Sequence, residues 1–347
     1  MENPLRQDLE HILEHTAGIW EDLRGARLFI TGGTGFFGCW LLESFAFACD
    51  RLQLETSATV LTRSAERFAA KAPHLAGHRA IRLWEGDVRS FAFPAGPFSH
   101  VIHAATESAA PQQPLAVLDT IAGGTRRALD FAVRAGAKRF LLTSSGAVYG
   151  AQPPELTHVP ESYRGAPETT DPRSTYGESK RVSELLASIY YRERGLECGI
   201  ARCFAFFGPY LPLDHSYAAG NFLGDVLAGG PVRISGDGTP YRSYLYAADL
   251  AIWLWTILLR GKAERPYNVG SPEAVTIREL AERMVAAVAP GMPVEAARQP
   301  VPGAPAPRYV PATERAQGEL GLKAWIGLEE AVRRTYAWHR RHASAGR

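Results

Sequence analysis

The stretch from Ala26 to Cys49 restricts the fold of this chain more than any other. Ala26 to Thr31 (ARLFIT) is a short, apolar strand pattern that runs directly into Gly32-Gly33-Thr34-Gly35-Phe36-Phe37-Gly38. From Phe36 to Cys49 the chain is apolar and aromatic without turn formers, which predicts a helix packed on a sheet. The glycines satisfy G-x-x-G-x-x-G through Gly32, Gly35 and Gly38, and also G-x-G-x-x-G through Gly33, Gly35 and Gly38. Between a strand and a helix, one glycine permits the tight turn, one lets backbone N–H groups approach a pyrophosphate, and one allows close helix–strand contact. The helix N-terminus adds partial positive charge toward the phosphates. Glycines alone are also compatible with a simple tight turn; the strand before and the helix after favour a dinucleotide cradle made by Gly32, Thr34, Gly35, Phe36, Phe37 and Gly38.

Further strand patterns follow at Ala58 to Leu61, Ala80 to Leu83, His100 to Ala104, Arg139 to Thr143 and Glu197 to Ala201. Helical patterns lie between most of them, including Pro114 to Ala135 and Thr175 to Arg194. Strands alternating with helices over short connections predict an α/β Rossmann fold, a doubly wound parallel sheet with right-handed crossovers. Residues 1–24 read as an added N-terminal helix, with Leu5, Leu9, Ile12, Leu13, Ile19 and Trp20 at roughly helical spacing. Residues 25–204 form the dinucleotide-binding domain. Beyond about residue 205 the alternation weakens, and 205–347 reads as mainly a smaller C-terminal α/β substrate-binding region. It includes an apolar helix at Ala247 to Leu259, an amphipathic one at Thr276 to Val288, and a Pro-rich extended surface connection from Pro300 to Pro311.

A fold that selects NAD commonly places Asp or Glu roughly 20 residues past the glycines, to hold the ribose 2′-hydroxyl. Here the second strand ends Val60-Leu61-Thr62-Arg63-Ser64, with no carboxylate. Arg63 can pair with a 2′-phosphate and Ser64 can add a hydrogen bond, so NADP(H) is favoured over NAD(H). Gly86-Asp87-Val88 follows the third strand, where a carboxylate can accept from the adenine amino group.

Tyr176-Gly177-Glu178-Ser179-Lys180 places a phenol and an ammonium four residues apart, on one face of a helix. A nearby ammonium favours the phenolate, so the pair is suited to exchanging a proton with a substrate oxygen while a nicotinamide gives or takes hydride. Alone, the pair is as compatible with a helix surface. Upstream, Thr143-Ser144-Ser145-Gly146-Ala147-Val148-Tyr149-Gly150 lies at the end of the fifth strand, the edge where ligands collect in such sheets. Ser145 is the hydroxyl expected to hydrogen-bond the reacting oxygen.

These ordered motifs make the chain resemble an extended short-chain dehydrogenase/reductase of the nucleotide-sugar epimerase/dehydratase family. The resemblance covers residues of about 26 to 290: TGGTGFFG at 31–38, GDV at 86–88, HAA at 103–105, SSGAVYG at 144–150, YGESK at 176–180, ARCFAFFGPY at 201–210, GDGTPYRSYLYAADLA at 236–251 and YNVGS at 267–271. It implies a catalytic set of Ser145, Tyr176 and Lys180. It assigns Gly32, Gly35 and Gly38 to the pyrophosphate, Asp87 and Val88 to adenine, Ala104 and Ala105 to the cofactor, and Asn221 and Arg242 to a substrate nucleotide diphosphate. Sugar 4,6-dehydratases of the family carry Asp and Glu where this chain has Gly146 and Ala147, and uronate decarboxylases also use a Glu in this segment. Both chemistries are therefore disfavoured. Two enzyme readings remain: a reductase acting at C4 of a nucleotide-linked 4-keto-6-deoxyhexose, and a 4-epimerase with tightly held NAD. A non-catalytic dinucleotide-binding protein is the reading from another class, and the intact Ser, Tyr and Lys argue against it.

The segment Asp119 to Thr125 lacks the Asn that relatives carry before Gly-Thr. His103, on an apolar strand, is expected to be a packed core histidine. Glu107 is an extra acid or a loop carboxylate, and His215 a surface residue or a sugar contact. Relatives dimerise through two long helices per subunit, whose counterparts at 114–135 and 175–194 present Leu185, Leu186, Ile189 and Tyr190; a homodimer is expected. A formal net charge of +2 gives no sign of a nucleic-acid or membrane partner. No apolar run is long enough to span a bilayer, and Met1 to Glu14 is too charged for a signal-peptide core. The four cysteines lack metal-type spacing, so reduced structural thiols, no metal and a cytoplasmic location are expected.

Overall fold

The computed structural model describes residues 3–106, 113–213 and 217–345. Its core is a seven-stranded parallel sheet built from β1 (Arg27–Thr31), β2 (Ser57–Thr62), β3 (Ile81–Glu85), β4 (His100–His103), β5 (Arg139–Ser145), β6 (Glu197–Cys203) and a strand from much later in the chain, Pro266–Val269. The spatial order is Pro266–Val269, β6, β5, β4, β1, β2, β3. The order reverses between β1 and β4, which opens a crevice beyond their C-terminal ends.

Both faces of the sheet are covered, so the strands are apolar on both sides. Along β1, Leu28 and Ile30 enter one core while Phe29 enters the other, beside Val101, Phe131 and Phe140. The first core holds α1 (Arg6–His15), α2 (Phe36–Leu52) and a helix at Ala247–Arg260. That last helix has every residue from Ala247 to Leu259 buried, which explains its lack of a polar face. Between β2 and β3 in the chain come the short helices α3 (Ala65–Lys71) and α4 (Pro73–Ala76). The second core is closed by α5 (Pro114–Leu118), α6 (Gly124–Arg134) and α7 (Thr175–Arg194).

The remaining elements are β7 (Phe206–Phe207), α8 (Ala218–Ala228), β8 (Val232–Ile234), β9 (Tyr241–Arg242), β10 (Leu245–Tyr246), α9 (Ala247–Arg260), β11 (Pro266–Val269), β12 (Val275–Thr276), α10 (Ile277–Val288), β13 (Val294–Ala296), β14 (Arg308–Tyr309), α11 (Glu314–Leu320) and α12 (Leu328–Ala345). A three-stranded sheet, β12-β9-β14, stands over the C-terminal edge of the main sheet, where Tyr309 meets Ser145.

The structure departs from the sequence reading in four places. The N-terminal segment is a ten-residue helix plus a short 3-10 turn at Trp20–Leu23, not one long helix. It packs on α2 and α9, where Trp20 meets Trp255 at 5.0 Å. The expected helix 114–135 is broken by a π turn at Asp119–Gly123. There Thr125 turns its hydroxyl back to the Ile121 carbonyl at 2.6 Å and faces His103 and Ser183. Two elements of the 205–347 segment, α9 and β11, belong to the main sheet's layers. Finally, the Pro-rich stretch to Pro311 is not wholly a surface connection, because β14 pairs with β9 and carries Tyr309 inward.

Candidate active site

The glycine loop is built by close backbone approach. Gly32 has φ 72°, and a Cβ there would lie 2.4 Å from the backbone carbonyl of Ala104. A Cβ on Gly38 would lie 2.3 Å from the Gly32 carbonyl oxygen. A Cβ on Gly35, the residue before the seventeen-residue α2, would lie 3.4 Å from the Gly32 carbonyl oxygen, so this position is less crowded. The first-turn amides of α2, around Phe36, Phe37 and Gly38, have no intrahelical acceptor by helix geometry. The loop therefore fits a dinucleotide pyrophosphate. Lys71 Nζ donates to the Thr34 carbonyl at 2.9 Å, bracing the loop from α3. Phe37 packs edge-on to Phe206 at 5.0 Å.

Around the cofactor's expected adenosine end, Arg63 is exposed. The Ser64 hydroxyl caps α3 by accepting from the Arg67 N–H at 3.2 Å, which leaves its proton available to donate. A carboxylate that the motif reading missed stands nearby: Glu85 accepts from the Ala65 N–H at 2.8 Å. It comes from β3 rather than β2, so the spacing rule does not find it. Asp87 is held by Arg89 through two contacts of 2.8 Å, and the guanidinium draws its carboxyl down to about 2. Val88 is buried against Gly124.

At the strand end, Ser145 Oγ accepts from the Ala147 N–H at 3.1 Å, capping the turn Gly146–Tyr149. Tyr176 stands in the first turn of α7, near enough to Ser145 and Thr106 for their side chains to favour its phenolate. One turn on, Lys180 is buried and donates to the Thr143 carbonyl at 2.8 Å. Its Nζ lies 5.8 Å from the Tyr176 ring centre. The sequence reading had the ammonium lowering the phenol. In the free protein burial wins, pushing Tyr176 up to about 12 and drawing Lys180 down to about 8. The set is braced from behind: Glu184 accepts from Ser144 at 2.6 Å and from Arg202 at 2.9 and 2.7 Å, tying β5, α7 and β6 together.

Arg242 and Tyr309 are register partners on β9 and β14, so they share one face of the small sheet. The Arg242 guanidinium lies 5.8 Å from the Tyr309 ring centre, while Arg308 stacks on Tyr241 at 4.0 Å on the other face. Asn221 is exposed on the first turn of α8, after Tyr217, whose phenol is close enough to disfavour the Tyr176 phenolate. Ser145, Tyr176, Lys180 and Arg242 are thus gathered about one edge of the main sheet. Tyr309 was not among the sequence candidates, although Arg308-Tyr309-Val310 after a proline run has strand character.

His103 is a core histidine, fully enclosed between the Thr31 hydroxyl at 2.8 Å and Thr125 at 3.1 Å, and burial holds it near about 3. Glu107 and His215 lie outside the described residues. Among the described residues no cluster of His, Cys, Asp and Glu is arranged to hold a metal, and the four cysteines are free and buried. No helix among them is long and apolar enough to cross a membrane.

The model of the NAD dependent epimerase/dehydratase family matches residues 28–270. The chain is 30% identical over 307 residues to UDP-glucuronic acid decarboxylase 3 of Arabidopsis thaliana, covering 88% of this chain and 86% of that one. It is 30% identical over 323 residues to UDP-glucuronic acid decarboxylase 1 of Danio rerio, covering 91% and 73%. Among solved structures, a dTDP-glucose 4,6-dehydratase from Streptomyces venezuelae with NAD bound superposes with TM-score 0.77 at 25% identity, covering 92% and 98%. A UDP-glucose 4-epimerase from Thermotoga maritima, at 20% identity and TM-score 0.76 over 91% and 99% of the chains, shares the fold. With the glycine cradle at the switch point and a Ser, Tyr and Lys set beside it, the chain belongs to the NAD-dependent epimerase/dehydratase family of enzymes.

Proposed function

We propose that the enzyme carries out hydride chemistry at C4 of a nucleotide-diphosphate sugar without eliminating water or carbon dioxide, as a reductase of a 4-keto-6-deoxyhexose. The carrying observation is the composition of the strand end. Ser145, Tyr176 and Lys180 converge there, whereas Gly146 and Ala147 put no carboxylate beside them. Elimination and decarboxylation, the chemistries named in several relatives, need an acid or base in that segment. A bound nicotinamide supplies or accepts the hydride. Tyr176 protonates the developing alkoxide, Ser145 hydrogen-bonds the same oxygen, and Lys180 compensates charge beside the phenol. Arg242 and Asn221 hold the substrate diphosphate.

NADP(H) is our preferred cofactor, because β2 ends in Arg63 with no carboxylate of its own. Glu85, poised at the Ala65 amide, favours NAD and with it the second reading, a 4-epimerase that keeps its cofactor. The working unit is a homodimer, supported by an apolar stripe across two neighbouring helices: Leu115 on α5 is 77% exposed and Leu185 on α7 61%. Val182 and Ile189 extend it, whereas Leu186 and Tyr190 pack on the subunit's own core.

The test is a screen of UDP-, dTDP-, CDP- and GDP-linked sugars with and without NADPH. Loss of NADPH absorbance with a 4-keto-6-deoxy sugar is the expected result. Isomerisation of an intact sugar with no net cofactor change would sink the reductase reading in favour of the epimerase.

A further inference from the structure

Gly146 reads in the sequence as a lost acid, but the structure gives it a positive reason. A Cβ at position 146 would lie 2.8 Å from the Tyr309 hydroxyl and 2.7 Å from Phe204 Cζ. The glycine leaves room for a phenol delivered from the far end of the chain. Tyr309 Oη stands 3.3 Å from Ser145 Oγ and 3.4 Å from the Cys203 carbonyl oxygen. Its ring stacks on Phe204 at 4.6 Å. Its strand is pinned on both sides: β14 pairs with β9, and the Val310 N–H donates to Gln152 at 3.0 Å while the Val310 carbonyl accepts from the Val159 N–H at 2.9 Å. Tyr309 is thus fixed by backbone pairing rather than by a mobile loop.

We propose that Tyr309 is a positioning residue, whose hydroxyl donates to Ser145 Oγ and thereby turns the serine proton toward the reacting sugar oxygen. This rests on the reading of Ser145, Tyr176 and Lys180 as the reacting set. A serine oxygen has two lone pairs and one proton. The Ala147 N–H occupies one lone pair; when the single Tyr309 proton turns from the Cys203 carbonyl to Ser145 Oγ, it occupies the other. The serine proton can then only be donated onward, to Tyr176 or to the substrate. Contacts of 3.3 and 3.4 Å are long for O–H···O bonds. Such contacts in a free enzyme tighten when substrate arrives. A donor behind Ser145 also polarises it and strengthens its bond to the next oxygen.

The experiment is a double-mutant cycle in the full-length protein on Tyr309→Phe and Ser145→Ala, with two readouts. The first, independent of turnover, is the ring-carbon NMR shift of Tyr176 in uniformly tyrosine-labelled protein, assigned with Tyr176→Phe. The second is the pH profile of kcat/KM with whichever nucleotide sugar the wild type turns over. Tyr309→Phe moves the Tyr176 resonance, lowers kcat about tenfold with KM changed less than about twofold, and shifts the profile toward alkaline pH, since Tyr176 loses a well-oriented partner. In the Ser145→Ala background the same substitution adds nothing to either readout. An unmoved resonance and profile, or an equal effect without Ser145, overturns the proposal. Gly146→Ala, which displaces the hydroxyl while retaining Tyr309, reproduces the Tyr309→Phe shift and serves if that variant folds poorly. A wild type inert toward every nucleotide sugar would defeat the functional reading alone, because the NMR cycle still reports the Tyr309–Ser145 coupling.

Discussion

Asp8 Oδ1 accepts a hydrogen bond from Arg334 at 2.6 Å, joining the first helix of the chain to the last. The other carboxylate oxygen accepts from the buried Tyr246 hydroxyl at 2.9 Å, and Arg334 also holds Glu330. One turn along α1, His11 meets Asp249 at 2.9 Å, and Asp249 caps the backbone of Trp325 and Ile326. The N-terminal extension is therefore a strap over α9. Removing one partner of a buried pair leaves the other uncompensated. Asp8→Ala is expected to cost about 3 kcal/mol, read as a lower urea midpoint; Asp8→Asn, which keeps an acceptor for Tyr246, costs less.

Arg63 is the only strongly basic side chain contributed by the end of β2. A charge-assisted bond to a 2′-phosphate is worth about tenfold or more in affinity. Arg63→Ala therefore weakens NADPH binding by roughly that factor and leaves NADH binding unchanged, measured by fluorescence titration. Equal losses for both cofactors would contradict the assignment.

The two arginines of the small sheet face opposite ways, Arg242 with Tyr309 and Arg308 with Tyr241. Arg242→Ala is expected to raise KM for the nucleotide sugar roughly tenfold or more, by loss of a charged donor to the diphosphate. Arg308→Ala raises it by less than about twofold, because that guanidinium points away from Ser145.

Leu115 and Leu185 are mostly exposed in the subunit, at 77% and 61%. A charge on both, Leu115→Glu with Leu185→Glu, is expected to convert the proposed dimer to monomer without lowering the melting temperature of the subunit. Light scattering at micromolar concentration checks this, and a wild type that is already monomeric there refutes it.

His74 donates to the buried Glu43 carboxylate at 2.7 Å, and that hydrogen bond raises the imidazole pKa above its ordinary value. The folded state then holds a proton that the unfolded state releases near pH 6.5 (about). The contribution is fully present below about pH 6.5 and is lost as pH rises through the folded value. His74→Gln should therefore lower the melting temperature most near about pH 5.5, with the difference shrinking by about pH 8.

The glycine loop, Ser145 and the Tyr176–Lys180 pair were legible in the sequence because each is a local arrangement. A strand end, a turn and an i,i+4 helix spacing put those residues on one edge of the sheet whatever the rest of the chain does. Helix α7 was read to the residue for the same reason. The π turn at Asp119–Gly123 was not legible, since it answers to a buried cluster of Thr125, His103 and Ser183 gathered from three elements. Nor was Glu85, which reaches the Ala65 amide across a strand pair.

The sequence by itself determined the cofactor fold, the placement of Ser145, Tyr176 and Lys180 at one sheet edge, and the absence of an acid at positions 146 and 147. Only the tertiary structure decided what fills that space and what closes the molecule. Tyr309 reaches Ser145 from 164 residues away, and Arg334 reaches Asp8 from 326 away. Local propensity carries no information about such partners. They are selected by packing, where a missing Cβ on one strand becomes the seat of a phenol on another.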